Sequence, residues 1–140
     1  MTAQPPSDPE AIGPQTSVQA LMTRAVARID PQARLFEVAQ KLSAVEAGAL
    51  AVGTTEAVIG MVSERDVTRA YGRNDDPDVV AAGDIASTDI LWCRPEVSAA
   101  DAAQIMCDQG VRHLLVGDAT NGDLHGIVSA RDLIEALIGS

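Results

Sequence analysis

Apolar residues recur along this chain with two different periods, and the order in which the periods alternate is given twice. Leu35, Val38, Ala39 and Leu42 fall at helical spacing, as do Ala99, Ala102, Ala103 and Met106. Each set predicts a helix with one apolar face turned inward. Ahead of each helix, a short apolar run (26–29 and 90–93) leads toward Pro31 or Pro95, whose neighbours are held extended, and this predicts a strand. After each helix come two further runs, "ALAV" then "AVIGMV" in the first half and "HLLV" then "LHGIV" in the second, which predict two more strands. A second helix closes each half. The predicted order is β-α-β-β-α, twice, in an α+β fold. Residues 1–16 are rich in Pro, Ser and Asp with little to bury, and are expected to form a disordered or extended tail.

The repetition extends to individual residues. "GMVSERD" at 60–66 returns as "GIVSARD" at 126–132, at a constant offset of 66 (126 against 60, 129 against 63, 132 against 66). Upstream the offset is 64, Pro95 against Pro31, with Ala39 over Ala103 and Gln40 over Gln104. This is an internal duplication. Its copies are assigned to residues 17–73 and 79–140, joined by the acidic linker "NDDPD" at 74–78. The two added residues fall in "GDATNGD", where Asn121-Gly122 signals a tight turn between paired strands. Its acidic positions lack the alternation of a calcium loop.

Charge and composition narrow the function classes. Ten basic residues against twenty acidic ones give a formal charge of -10 over 140 residues, and there is one Phe, one Tyr and one Trp. Such a chain repels phosphate backbones and has no aromatic platform for bases, so nucleic acid is not an expected partner. No apolar run reaches the roughly 18 residues needed to cross a bilayer. Cys93 and Cys107 form no disulfide framework and are expected as small core residues, which together point to a cytoplasmic protein without a membrane partner. His113 and His125 are too few for a zinc site or a nucleophile–base arrangement, and no Gly-rich phosphate loop is present. The chain is not expected to be an enzyme.

The twin motif has two readings. Ser63 and Ser129, each followed three residues later by Asp66 or Asp132, sit where a strand gives way to a helix, and so can cap free backbone N–H groups. The same arrangement can hold a phosphate on those N–H groups and offer a carboxylate to the two hydroxyls of a ribose. Arg65 and Arg131 add positive charge beside each motif, which suits a phosphate more than a cap.

With these residues in view, the chain resembles a cystathionine-β-synthase (CBS) domain pair, or Bateman module: tandem β-α-β-β-α units, a glycine followed by two apolar residues, and Ser-x-Arg-Asp opening the last helix of each. The resemblance covers about residues 17–139. It implies two units related by pseudo-twofold symmetry with two clefts between them, which bind AMP, ADP, ATP or S-adenosylmethionine in many members. It implies that Asp66 and Asp132 hold ribose hydroxyls, with Ser63, Arg65, Ser129 and Arg131 near phosphate. Thr23 in "MT" matches a family position that lines a cleft, and Ser87 keeps the hydroxyl in the second copy. Arg112-His113 matches a basic pair that reaches phosphates; Gly48-Ala49 stands there in the first copy, so two unequal sites are expected. His113, titrating near 6.5, would tighten polyphosphate binding at pH 6 relative to pH 8. Where the family often has a proline, this chain has Ala51 and Leu115. The resemblance implies a regulatory sensor of an adenine nucleotide, requiring no cofactor for turnover, that modulates a partner protein and forms a homodimer. Leu133, Ile134, Leu137 and Ile138 are expected as its apolar surface. The alternative is a ligand-free dimeric scaffold whose twin motif only caps helices.

Overall fold

The computed structural model describes residues 12–24, 26–45, 48–54 and 57–138. Its elements, in order, are α1 (Val18–Leu21), β1 (Arg28–Ile29), α2 (Leu35–Ala44), β2 (Ala49–Gly53), β3 (Val58–Ser63) and α3 (Glu64–Gly72) in the first half. The second half repeats them as α4 (Ala82–Ile85), β4 (Trp92–Cys93), α5 (Ala99–Gln109), β5 (His113–Asp118), β6 (Asp123–Ser129) and α6 (Ala130–Leu137). Two three-stranded sheets result, ordered β1-β2-β3 and β4-β5-β6, each with one parallel and one antiparallel pairing. The duplicated α+β plan is therefore present. The strands before the prolines are shorter than the apolar runs, two residues each, because only those residues find a parallel partner.

Each half has a core between its sheet and its two long helices. Leu35, Val38 and Leu42 of α2 meet Leu50, Val52 and Val62 of the sheet, while Ala99, Ala102 and Met106 of α5 meet Leu114, Val116 and Val128. A third cluster, Ala49, Met61, Leu115 and Ile127, lies on the opposite faces of the sheets and joins the two halves. Ala51 and Leu115 stand in the middle strands, and their N–H groups donate to Ala27 O (3.0 Å) and Leu91 O (2.9 Å). A proline at either position would forfeit that bond, so these residues keep β2 and β5 tied to β1 and β4.

The short helices α1 and α4 were not legible as elements, and they cross over. Val18 of α1 is buried in the second half's core, and Ala82 of α4 in the first half's. The backbone repeats the exchange symmetrically. Val18 N donates to Val97 O (2.8 Å) and Ala82 N to Ala33 O (2.7 Å). Thr23 bridges Ile127 of β6, and Ser87 bridges Met61 of β3. The twin glycines are explained at these bridges. A Cβ on Gly60 would stand 2.7 Å from Ser87 O, and one on Gly126 would stand 2.6 Å from Thr23 O. Only a residue without a side chain lets the crossing segment lie flat on the strand.

Some expectations need correcting. Of the tail expected over 1–16, residues 1–11 lie outside the described residues, whereas Pro14 O and Thr16 O accept bonds from Ala100 N (2.9 Å) and Ala99 N (2.8 Å) at the start of α5. Leu133 is a core residue, 2% exposed, and the exposed apolar residues are Ile134 and Leu137 of α6 and Ile138, which caps its C-terminus. Cys93 is buried as expected, and burial pushes its thiol up to about 11. Cys107 is exposed, because it follows Met106 around α5 and leaves the buried face. An aromatic disulfide reagent at pH 7.5 is therefore expected to titrate one thiol in the native protein and two after denaturation, with Cys107→Ser abolishing the native reaction.

Candidate functional site

The serine hydroxyl and aspartate carboxylate of each motif close a reciprocal cap at the point where strand becomes helix. Ser63 N donates to Asp66 Oδ2 (2.8 Å) and Asp66 N donates to Ser63 Oγ (3.3 Å); in the second copy Ser129 N donates to Asp132 Oδ2 (2.8 Å) and Asp132 N to Ser129 Oγ (3.1 Å). Aspartate thus closes the box that glutamate usually closes. Capping is an observed role of the motif. It uses one carboxylate oxygen of each aspartate, and Oδ1 of each has no hydrogen-bond partner among the described residues.

Both caps open into one cleft of about 720 Å³ lined from both repeats. The twin motifs line it one from each repeat. All ten residues singled out in the sequence line it: Thr23, Ser63, Arg65, Asp66, Ser87, Arg112, His113, Ser129, Arg131 and Asp132. The exchange described above is what brings Thr23 to β6 and Ser87 to β3, so each hydroxyl enters beside the other repeat's strand. Ser63 and Ser129 end strands β3 and β6, and His113 begins β5 directly opposite Ser129.

Sequence reasoning missed Glu64, Arg69 and Asp89, together with Met61 and Ile90 on the cleft wall. Arg69 lies one helical turn beyond Arg65 on α3, so the i, i+4 spacing carried its signal. Four arginines (65, 69, 112, 131) and four carboxylates (64, 66, 89, 132) line the cleft. In a chain with a formal charge of -10, this balance makes the cleft far less repulsive to anions than the surface at large.

His113 is half-buried, and burial holds its imidazole below the usual 6.5; the Asp132 and Asp66 carboxylates oppose that shift and Arg112 adds to it. The window expected from the sequence therefore moves to lower pH. A folded-state pKa below the unfolded one means that the unfolded chain binds more protons. The contribution of the neutral ring to stability is complete above about pH 6.5 and is lost as pH falls through the folded value. Thermal melts of the ligand-free protein from pH 7.5 to 5 should fall more steeply for the wild type than for His113→Gln.

The sequence profile of the CBS domain matches residues 18–73 and again 82–139. The chain belongs to the CBS-domain family. It is 32% identical over 121 residues to the CBS domain-containing protein YhcV of Bacillus subtilis, spanning 84% of this chain and 83% of that one. An uncharacterized 17.7 kDa protein of Acidianus ambivalens is 32% identical over 124 residues, 88% of this chain and 74% of its own. Among solved structures, the CBS domain protein PAE2072 of Pyrobaculum aerophilum, complexed with AMP, superposes with a TM-score of 0.73 at 28% identity, covering 84% of this chain and 89% of that one. No helix among the described residues of this CBS pair is long and apolar enough to cross a membrane.

Proposed function

We propose that this CBS pair is a regulatory module that binds an adenosine phosphate in the cleft and passes its occupancy to a partner protein. The observation that carries this reading is the convergence of two aspartates, each with one uncommitted carboxylate oxygen, and four arginines in one cleft built from both repeats. A ribose donates two hydroxyl hydrogens to a carboxylate, and phosphates take guanidinium and cap N–H groups. Thr23 and Ser87 offer hydroxyls, and Arg112 and His113 face the phosphate end. The AMP bound by the Pyrobaculum relative supports the same ligand class.

Regulation follows from the cleft having walls from both repeats. A ligand touching both favours the closed arrangement, and it changes a partner's affinity only by its own preference for that arrangement. The proposed activity is binding without turnover, in the cytoplasm. Exposed Ile134 and Leu137 of α6, Ile138 just after it and Phe36 of α2 support pairing into a homodimer. The scaffold reading keeps one observation in its favour: both caps are complete without a ligand, so capping alone accounts for the duplicated serine and aspartate.

Asparagine at 66 or 132 separates the two readings, since it keeps an acceptor for the cap and loses the charge. Whichever of Asp66→Asn and Asp132→Asn removes the carboxylate that holds the ribose should weaken AMP, ADP or ATP binding by about 1.5–3 kcal/mol, while either variant lowers stability by about 1 kcal/mol or less. Isothermal calorimetry with these three nucleotides and S-adenosylmethionine provides the check. Silence of the wild type toward all four would hand the cleft to the scaffold reading.

A further inference from the structure

One backbone contact occurs twice in the cleft with opposite charge on it. Glu64 N donates to Gly48 O at 3.0 Å, and in the second copy Ala130 N donates to Arg112 O at 2.9 Å. The bonds are equivalent by the repeat; the side chains are inverted. The first corner carries a carboxylate and no side chain opposite, and the second carries a guanidinium and a methyl group. Gly48 stands at φ +72, a left-handed conformation that Arg112 does not adopt. A side chain started at Gly48 would meet Glu64 Oε1 at 3.3 Å. The carboxylate therefore lies over the spot from which a basic residue would have had to grow.

The motif charges extend the contrast: Glu64 and Asp66 accompany Arg65 in the first copy, whereas Asp132 alone accompanies Arg112 and Arg131 in the second. Arg69 and Asp89, outside the motifs, bring the whole lining to balance. The caps, the hydroxyls and the glycine bridges are duplicated, whereas this corner differs between the copies, as does Arg69, whose counterpart by the repeat is Glu135.

We infer that Glu64 makes the cleft one-sided: it refuses phosphate at the first-repeat corner, so that a single polyphosphate-bearing ligand binds per chain with its phosphates at Arg112. The inference rests on the cleft being the anion site proposed above. It fixes both the stoichiometry and the direction of the ligand. An adenosine without phosphates has no such constraint and can enter from either end.

The test uses calorimetry on the full chain with ATP and, separately, with inorganic tripolyphosphate. Wild type should bind one ATP, and Glu64→Ala, which copies the residue found at Ala130, should bind a second. Glu64→Gln, which keeps the shape and removes the charge, should do the same. Tripolyphosphate should follow the same pattern, one per wild-type chain and a second on Glu64→Ala, the affinity of the first-repeat corner rising by at least about tenfold once the nearby like charge is gone. Glu64 is exposed at the first turn of α3, so neither variant threatens the fold. Two ATP per wild-type chain, or one per chain in all three proteins, would overturn the inference. If no adenosine compound binds but tripolyphosphate still shows the Glu64 effect, the nucleotide reading falls and the one-sided cleft stands. If neither probe binds any of the proteins, both fall.

Discussion

The double variant Gly60→Ala, Gly126→Ala should lose about 2–6 kcal/mol of stability, since overpacking a tight site costs about 1–3 kcal/mol and distant sites add. Each new methyl would press on a backbone carbonyl, Ser87 O at 2.7 Å or Thr23 O at 2.6 Å, and a backbone retreats less readily than a flexible side chain. Retreat would also break the paired bonds of each bridge: Ser87 N to Met61 O and Met61 N to Ser87 O at 2.8 and 2.9 Å, and Thr23 N to Ile127 O and Ile127 N to Thr23 O at 2.8 and 3.0 Å. The loss is a large share of the roughly 5–15 kcal/mol that holds a domain folded. Urea unfolding of the single and double variants measures it. A double variant within 1 kcal/mol of wild type would mean that the crossing segments contribute little to the fold.

Arg112→Ala should weaken ATP by about 10- to 150-fold, the equivalent of the 1.5–3 kcal/mol of a charge-assisted hydrogen bond, while adenosine changes by less than about twofold. The argument is electrostatic. The chain is strongly acidic, and Arg112 and Arg131 are the second repeat's positive charges on the cleft wall. ADP should fall between the other two ligands, and the ATP affinity of the wild type should drop with added salt more than that of the variant. Competition binding at two salt concentrations gives all four comparisons. An equal loss for adenosine and ATP would take Arg112 out of the phosphate end and leave it a general support of the wall.

The duplicated motif was readable because capping chemistry is local. A serine, an aspartate three residues on and the strand before them fix each other within one turn, and the structure closes both boxes. The long helices were equally plain from Leu35, Val38 and Leu42 and from Ala99, Ala102 and Met106. Helices α1 and α4, "VQAL" and "AGDI", have four residues each, too short for any period to declare itself. Which core they enter is decided by tertiary contacts at Val97 and Ala33, far away in sequence. Glu64 escaped notice for a different reason. It occupies the variable position of Ser-x-Arg-Asp, and attention to what the copies share passes over the position where they differ. Cys107 and Leu133 were misassigned although helical periodicity places each correctly: Cys107 lies about 100° around α5 from Met106, and Leu133 lies on the inward face with Ala136.

The crossing of α1 and α4 means that the repeat seen in the sequence is not a folding unit. A chain cut in the stretch 74–78 would yield one fragment that carries Val18 for the other's interior and one that carries Ala82 in return. Each fragment would expose an unfilled seat in its own interior and the plug for its neighbour's. Cooperativity is thus wired into the connectivity: one half cannot loosen without withdrawing a piece from the other, and a stimulus that opens either half is felt by both.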